Sequence, residues 1–392
     1  ASLTANPYYS GLTVEGPIIE DQASFLISGR VAHMNYILNG FDPQPPFYVP
    51  ESINFYDVHG KINFKLGNNN RIYLSSFINN DEIRPYKDSN TTLFYNTQWQ
   101  NRTLTARWNS IWNDRIFSNA SFVFSDYEYN KRSDLNDARF LFQERSNISN
   151  SHLKFDLNYH ASKNHRLLLG FNGTDYTFQP ATGNIGIPET EFNISYAIED
   201  IRSREYAFFL EDNIKIGNHV SLDIGLRYSR FQDIGSDNFD VIYSDGGVPI
   251  DSIFRPANKV IRTFDNFEPR ASLDYQHSNR WLFRAAYSRT SQYIIRLLND
   301  NPSAPNEYWI PAGLYIKPLT SNIASTHAFG QLNDFTKISI GAFYRTSKNI
   351  SAFRNGASIF FSESLIDRQV TQGDFKSHGF ELSLQKEKAA YQ

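Results

Sequence analysis

The 392-residue chain has no cysteine and a single methionine. Without cysteine there is no disulfide framework, no thiol nucleophile and no thiolate to hold zinc or an iron–sulfur cluster. Basic charge is not in excess: 38 Lys and Arg stand against 41 Asp and Glu, a net charge of −3, so a nucleic-acid partner is not expected. No run of 18 or more apolar residues occurs, which excludes a membrane-spanning helix. Catalytic signatures are missing too: there is no Gly-x-Ser-x-Gly, no His-Glu-x-x-His, no phosphate loop and no Rossmann glycine pattern. Neither an enzyme nor a bound cofactor is expected. No charged-then-apolar leader opens the chain at Ala1, so any signal peptide is expected upstream or already removed.

Aromatics are abundant: 32 Phe, 23 Tyr and 5 Trp make up 15% of the chain. Mean hydropathy is nonetheless negative, at −0.48. Strict alternation reconciles the two, because a strand between lipid and water needs an apolar side chain only at every second position. In KINFKLG, Ile62, Phe64 and Leu66 share one face while Lys61, Asn63 and Lys65 share the other. TLTARWNSIW sets Leu104, Ala106 and Trp108 against Thr105, Arg107 and Asn109, and FSNASFVFSDYEY sets Ala120, Phe122 and Phe124 against Ser121 and Ser125. SHLKFDLNYH, SLDIGLRYSR and RASLDYQH repeat the pattern. Roughly 14 to 16 such runs, each about 9 to 14 residues, have the length of tilted membrane strands. The expected fold is all-β, a transmembrane antiparallel β-barrel, present in part, with residues 1–392 as one barrel domain and no second domain. A soluble sandwich, propeller or β-helix also alternates, but soluble strands average about 5 to 6 residues.

Connections are expected to be asymmetric. Short Gly/Asn turns such as GNNN, ASKN and HSN alternate with long stretches at 37–52, 179–202, 232–262 and 291–323, the pattern of short periplasmic turns and long extracellular loops. Aromatic pairs near strand ends, Trp108 with Trp112, Tyr127 with Tyr129 and Tyr308 with Trp309, suit interfacial girdles. Outer-membrane lipid is thus the first expected partner.

Candidate site residues follow from the same parity. Arg107, Arg227, Arg270 and Arg284 point into the barrel, where a guanidinium pairs with a carboxylate, a phosphate or an internal plug. An interior ion-pair ladder with Asp223 and Asp274 is favoured over substrate contact. Tyr308 and Trp309 are loop aromatics that either stack on a sugar ring or chelate, or anchor the interface. His160 and His165 flank a turn and lack a carboxylate at ligand spacing, so no metal site is expected. Glu211 and Asp212 are adjacent, point to opposite faces of a strand and cannot flank one glycosidic bond.

Four segments carry a family resemblance: GLTVEGPIIEDQASFLISGR, SREYAFFLEDNIKIGNHVSLDIGLRYSRF, FEPRASLDYQHSNRWLFRAAYSRTSQYI and HGFELSLQKE. They resemble the barrel of TonB-dependent outer-membrane receptors of the Bacteroidota type. The most specific part runs from Glu268 to Tyr275 and from Ala285 to Tyr293. The resemblance implies a plugged barrel of about 22 strands in the bacterial cell outer membrane. It also implies import of a scarce nutrient (a glycan, siderophore, cobalamin or peptide) energised through TonB. A plug domain, TonB and a surface lipoprotein or other outer-membrane subunits are the partners it implies. The alternative is a receptor-like barrel serving as a structural or binding subunit of a larger complex; a passive porin is disfavoured. No counterpart of the plug, and no closing aromatic-ended strand, is found between Ala1 and Gln392, so the chain is expected to be part of a longer receptor.

Overall fold

The computed structural model describes residues 1–38, 40, 50–84, 96–134, 141–187, 190–243, 249–298, 307–354 and 369–386. In chain order the strands are β1 (Ser2–Ala5), β2 (Tyr9–Ile19), β3 (Ala23–Ala32), β4 (Ser52–Leu66), β5 (Asn70–Arg84), β6 (Asn96–Asn113) and β7 (Ile116–Asp134). There follow β8 (Leu141–His160), β9 (His165–Gly186), β10 (Asn193–Ala197), β11 (Ile201–Ile216), β12 (Val220–Ile234), β13 (Asn238–Tyr243) and β14 (Pro249–Arg255). The last are β15 (Val260–Ser278), β16 (Trp281–Gln292), β17 (Ile294–Leu298), β18 (Glu307–Pro311), β19 (Leu319–Asn333), β20 (Thr336–Phe353) and β21 (Val370–Lys386). One short helix, Met34–Leu38, lies between β3 and β4.

Seventeen of these strands form one antiparallel sheet. Fifteen are ten residues or longer, in keeping with the runs counted in the sequence; the short β1 and β10 complete the number. Each strand pairs with its chain neighbour, β10 continuing the line of β11 along the far end of β9. Only β13–β14 and β17–β18 stand apart, as two-stranded hairpins. Among the described residues β1 pairs only with β2 and β21 only with β20, so the sheet is an open wall.

Register fixes two faces. Leu104, Phe122, Leu153, Phe208, Leu210, Leu226, Leu273 and Phe380 are exposed on one side. This apolar face suits lipid, and between the two edge strands the backbone is paired strand to strand. On β6 it runs from Leu104 to Trp112, roughly 27 Å of strand and about 21 Å of depth at a tilt near 40°. Above it the same side turns charged: Arg145 meets Glu128 at 2.7 Å, Arg204 meets Asp175 at 2.6 Å and Arg230 meets Asp265 at 2.8 Å. Below it Trp108 and Trp112 meet edge-on at 6.1 Å, with their indole N–H groups donating to Asn70 Oδ1 and Ser118 Oγ.

The tight turns β2–β3, β4–β5, β6–β7, β8–β9, β11–β12, β15–β16 and β19–β20 lie at this lower rim, while Asn6 to Tyr8 join β1 to β2 at the upper end. Gly67 and Gly217 sit at the lower rim at φ of 65° and 62°, the left-handed backbone that the Gly/Asn turns require. The upper connections differ from expectation. The stretch 179–202 begins inside β9, 232–262 is largely the β13–β14 hairpin, and 291–323 contains β17–β18. Of 37–52, residues 39 and 41–49 lie outside the described residues. Tyr127 and Tyr129 form no girdle: they share the parity of Ser121 and Ser125, so they face the lumen, where Tyr129 is buried against Trp99 at 6.0 Å.

Candidate functional site

The concave face is polar along most of its height, and its upper end is filled by the chain itself. Between β16 and β19 the described residues 293–298 and 307–318 fold inward. In the β17–β18 ladder Ile295 opposes Ile310 and Leu297 opposes Tyr308, so these four side chains share one face. They form a core with Ala181 on β9, Ile198, Ile316 and Val370 on β21, packed against Phe353 of β20. The hairpin therefore bridges opposite parts of the wall. Tyr308, 1% exposed, donates its hydroxyl to Glu144 Oε1 on β8 at 3.0 Å. Trp309 and Arg296 oppose each other on the other face, with the guanidinium 6.0 Å from the indole centroid.

Both ends of the segment are tied down. At its entry the Tyr293 ring stacks on Phe231 at 4.8 Å and an interplanar angle of 2°. A directed chain runs beneath it: Asn266 donates to the Tyr293 oxygen at 2.8 Å, Tyr293 to Ser229 at 2.7 Å, and Ser229 to Glu268 at 2.5 Å. Burial raises the Tyr293 hydroxyl above its ordinary value, so it stays a donor. At the exit Arg262 donates to the Leu314 carbonyl at 2.8 Å, and Gln372 both accepts from the Lys317 N–H and donates to its carbonyl. Beside this segment lies a buried ion pair, Arg255 with Asp233 at 2.5 Å.

Glu144 also faces Lys131 across the β7–β8 ladder, and both are buried. Lys131 lies above the apolar band. Desolvation pushes its ammonium down to about 8, opposed by the Glu144 charge. A folded-state value below the unfolded one means that the unfolded chain binds more protons between the two. Stability is therefore expected to rise with pH from about 8 toward 10.5. The gain is on the order of 3 kcal/mol. Urea midpoints at pH 7.5 and 10 measure it: a rise in the native protein that Lys131→Met abolishes is expected, and equal behaviour of the two proteins would show that Lys131 keeps its proton.

The register places all five charged candidates on the lumen side. Arg227 Nη2 meets Glu205 Oε1 at 3.1 Å, and Arg284 meets both oxygens of Asp274 at 2.6 Å. Arg270 pairs with Glu211, whereas Asp223 accepts from Asn213 and Ser272. Arg270, Glu211 and Asp223 border a recess of about 380 Å³ whose floor is made of small residues, Gly225, Ala286 and Ser325. Arg107 is exposed and makes no hydrogen bond or ion pair among the described residues. Of the two aromatics, Tyr308 belongs to the hairpin core and Trp309 to its opposite face. Sequence reasoning missed Lys131, which faces Glu144 on the adjacent strand, and Glu144 and Tyr293, whose partners Tyr308 and Ser229 are far away in the chain. Among the described residues no group of three or more His, Asp or Glu side chains could hold a metal ion.

The family described as "TonB dependent receptor-like, beta-barrel" matches residues 35–392. No curated protein matches the chain. Similar solved structures include the copper transporter OprC (TM-score 0.69, 13% identity), with 97% of this chain and 57% of that one covered. The ferric yersiniabactin uptake receptor FyuA from Yersinia pestis has a TM-score of 0.67 at 9% identity, covering 97% and 56%. For the FrpB iron transporter from Neisseria meningitidis the TM-score is 0.65 at 14% identity, covering 97% and 58%. At such identities the likeness is one of fold, and the chain spans a little over half the length of these proteins.

Proposed function

We propose that this chain, which belongs to the family of TonB-dependent receptor-like β-barrels, is the barrel wall of a bacterial outer-membrane receptor that imports a scarce nutrient with energy delivered through TonB. The observation that carries this reading is the hairpin packed across the mouth. A passive pore needs an open lumen, whereas here Ile295, Leu297, Tyr308 and Ile310 bridge β9 to β20 and β21 with a dry core. In this reading entry of the nutrient involves movement of the β17–β18 hairpin, driven by ligand or by energy from TonB.

In this reading residues 1–392 act as one barrel domain, and the plug and the TonB contact are supplied by residues outside them. The Bacteroidota type and an accompanying surface lipoprotein follow from the sequence resemblance alone. The similar structures are named for copper, iron and ferric yersiniabactin, which makes metal chelates the first substrates to test. Trp309 and Arg296 lie on the face of the hairpin away from its core, where an indole ring and a guanidinium are the side chains to test for contact with such a ligand.

The test is uptake by cells carrying or lacking the complete gene, with glycans, siderophores, cobalamin and peptides as competitors. Loss of one class in the deletion strain, and in a strain without TonB, is the expected result; unchanged uptake of every class would sink the proposal. Arg227→Gln is expected to leave the apparent affinity for that class within about twofold, since Arg227 is engaged with Glu205 in the wall. A larger loss would make Arg227 a ligand contact.

A further inference from the structure

On its lipid side the wall carries a groove along β19. Leu273 of β15, Ala285 of β16, Thr326 of β19, Ala342 of β20 and Phe380 of β21 stand in one row of the ladder and point outward. The three middle residues are small and form a floor between Leu273 and Phe380, about 19 Å apart across four strand spacings. Two residues higher Tyr287 and Tyr344 flank Ala324, and two residues lower Phe283 and Ile340 flank Ala328. The hollow over this floor measures about 560 Å³ at Ala324 and continues into another of about 490 Å³ at Ala328. Its foot is closed by Trp281, whose ring lies over Gly330 where any β-carbon would collide. Above the groove the same face turns basic. Arg289, Asn322, Thr346 and Lys376 form the row above Tyr287 and Tyr344, and Lys348 follows, opposite Thr320. Among the described residues none of these three cations forms an ion pair, and the Arg289 Nε is shielded from solvent without a hydrogen-bond partner. Asp374 is the one carboxylate that the described parts of β16, β19, β20 and β21 direct outward, so positive charge is in surplus. On β5–β12 the outward cations above the apolar band are answered. Arg84, Arg145, Arg204 and Arg230 each meet a carboxylate, Arg102 and Arg202 donate to amide oxygens, and Arg132 is engaged as well.

We propose that this face binds a phosphorylated lipid of the surrounding membrane, with its phosphate between Arg289 and Lys376 and an acyl chain along the groove. The two cations stand about 14 Å apart on the backbone, three strand spacings, a gap that two long side chains and one phosphate close. Tyr287 donates its hydroxyl to Asn322 Oδ1 at 3.0 Å, which leaves the Asn322 amide N–H groups to donate. A phosphate then accepts from a guanidinium, an ammonium, that amide and the Thr346 hydroxyl together. The groove below opens to lipid, and a chain lying in it meets Leu273, Phe283 and Phe380 instead of other chains. A second copy of this protein is the poorer occupant. A symmetric pair in a membrane turns about the membrane normal, so the same patch meets itself and the two basic rows would repel.

The lipid site depends on the lipid-facing wall and not on uptake, so a receptor that imports none of the nutrient classes would leave it standing. The complete receptor is placed in phosphatidylcholine nanodiscs doped with lipid A, a phosphorylated glycolipid, or with the same lipid stripped of phosphate. Lipid that stays bound after transfer to detergent is identified by native mass spectrometry. Retention of lipid A, and loss of the dephosphorylated form, is the expected result. Each cation beside an anionic lipid contributes about fivefold, so Arg289→Gln with Lys376→Gln is expected to retain about thirtyfold less. Thr326→Phe fills the floor with an apolar ring and leaves both cations in place. It should lower retention by about tenfold, the worth of two displaced methylenes. Circular dichroism should show the strand content of both variants unchanged. Equal retention of the two lipid forms, or full retention in either folded variant, would overturn the proposal. Displacement by millimolar inorganic phosphate as readily as by lipid A would reduce the site to one for phosphate alone and overturn it too.

Discussion

Leu297→Asp is expected to undock the β17–β18 hairpin from the mouth of the wall while the wall itself stays folded. Leu297 is 1% exposed among Ala181, Ile198, Tyr308 and Val370. The substitution removes a leucine's worth of burial, about 1.5 to 3 kcal/mol, and places a carboxyl without a designed partner in the same space, at about 1 to 3 kcal/mol more. A two-stranded hairpin has little stability of its own and relies on this packing. The loss of about 3 to 6 kcal/mol therefore falls on local opening rather than on the seventeen-stranded sheet. Hydrogen exchange of residues 294–298 and 307–311 should quicken by about 10² to 10⁴-fold, with β15, β16, β19 and β20 unchanged. Exchange that quickens equally throughout would show that the hairpin and the wall unfold together. Faster entry of the substrate identified by the uptake test should accompany a local effect.

The wall was legible from alternation, because the two faces meet unlike solvents and a one-residue slip would put Phe122 into water and Ser121 into lipid. The same rule, carried two steps further along FSNASFVFSDYEY, puts Tyr127 and Tyr129 in the lumen. Reading them as a girdle weighed residue type above parity. The strands also run beyond the bilayer, β9 to 22 residues and β8 to 20, so strand ends are a poor guide to membrane depth. Outward-facing Arg102, Arg145, Arg204 and Arg230 mark the upper boundary better, since an unpaired guanidinium is costly below it.

The mouth was not legible in the same way. Ile294, Ile295, Leu297 and Leu298 form a short apolar run between polar stretches, and nothing local says that half of it packs across a barrel. The hydrogen bond that fixes the hairpin joins Tyr308 to Glu144, 164 residues apart. Arg270 shows a milder form of the same limit. Its lumen direction was readable from the strand, but its partner Glu211 lies on β11, with β12 between them, and only the full register identifies it.

Phe122→Arg tests the two-faced wall at its middle. Phe122 points outward from β7 beside Ala106 and Leu153, about midway between the tryptophans of the lower rim and the charged upper one. An arginine at the bilayer midplane on the lipid face costs about 2 to 4 kcal/mol. Val123, the next residue at the same depth, points to the lumen opposite His152 and Thr105. There an arginine stays hydrated, and its cost is expected to remain below about 1 kcal/mol. Refolding of the complete receptor into lipid bilayers across a denaturant series compares the two directly. At a slope of about 2 kcal/mol per molar, Phe122→Arg should lower the midpoint by about 1 to 2 M and Val123→Arg by less than half of that. Equal shifts would mean that both faces meet the same medium, as in a soluble sheet, and reversed shifts would turn the wall inside out. Either result would leave the exposed leucines and phenylalanines of β6, β7, β8 and β12 without a solvent that suits them.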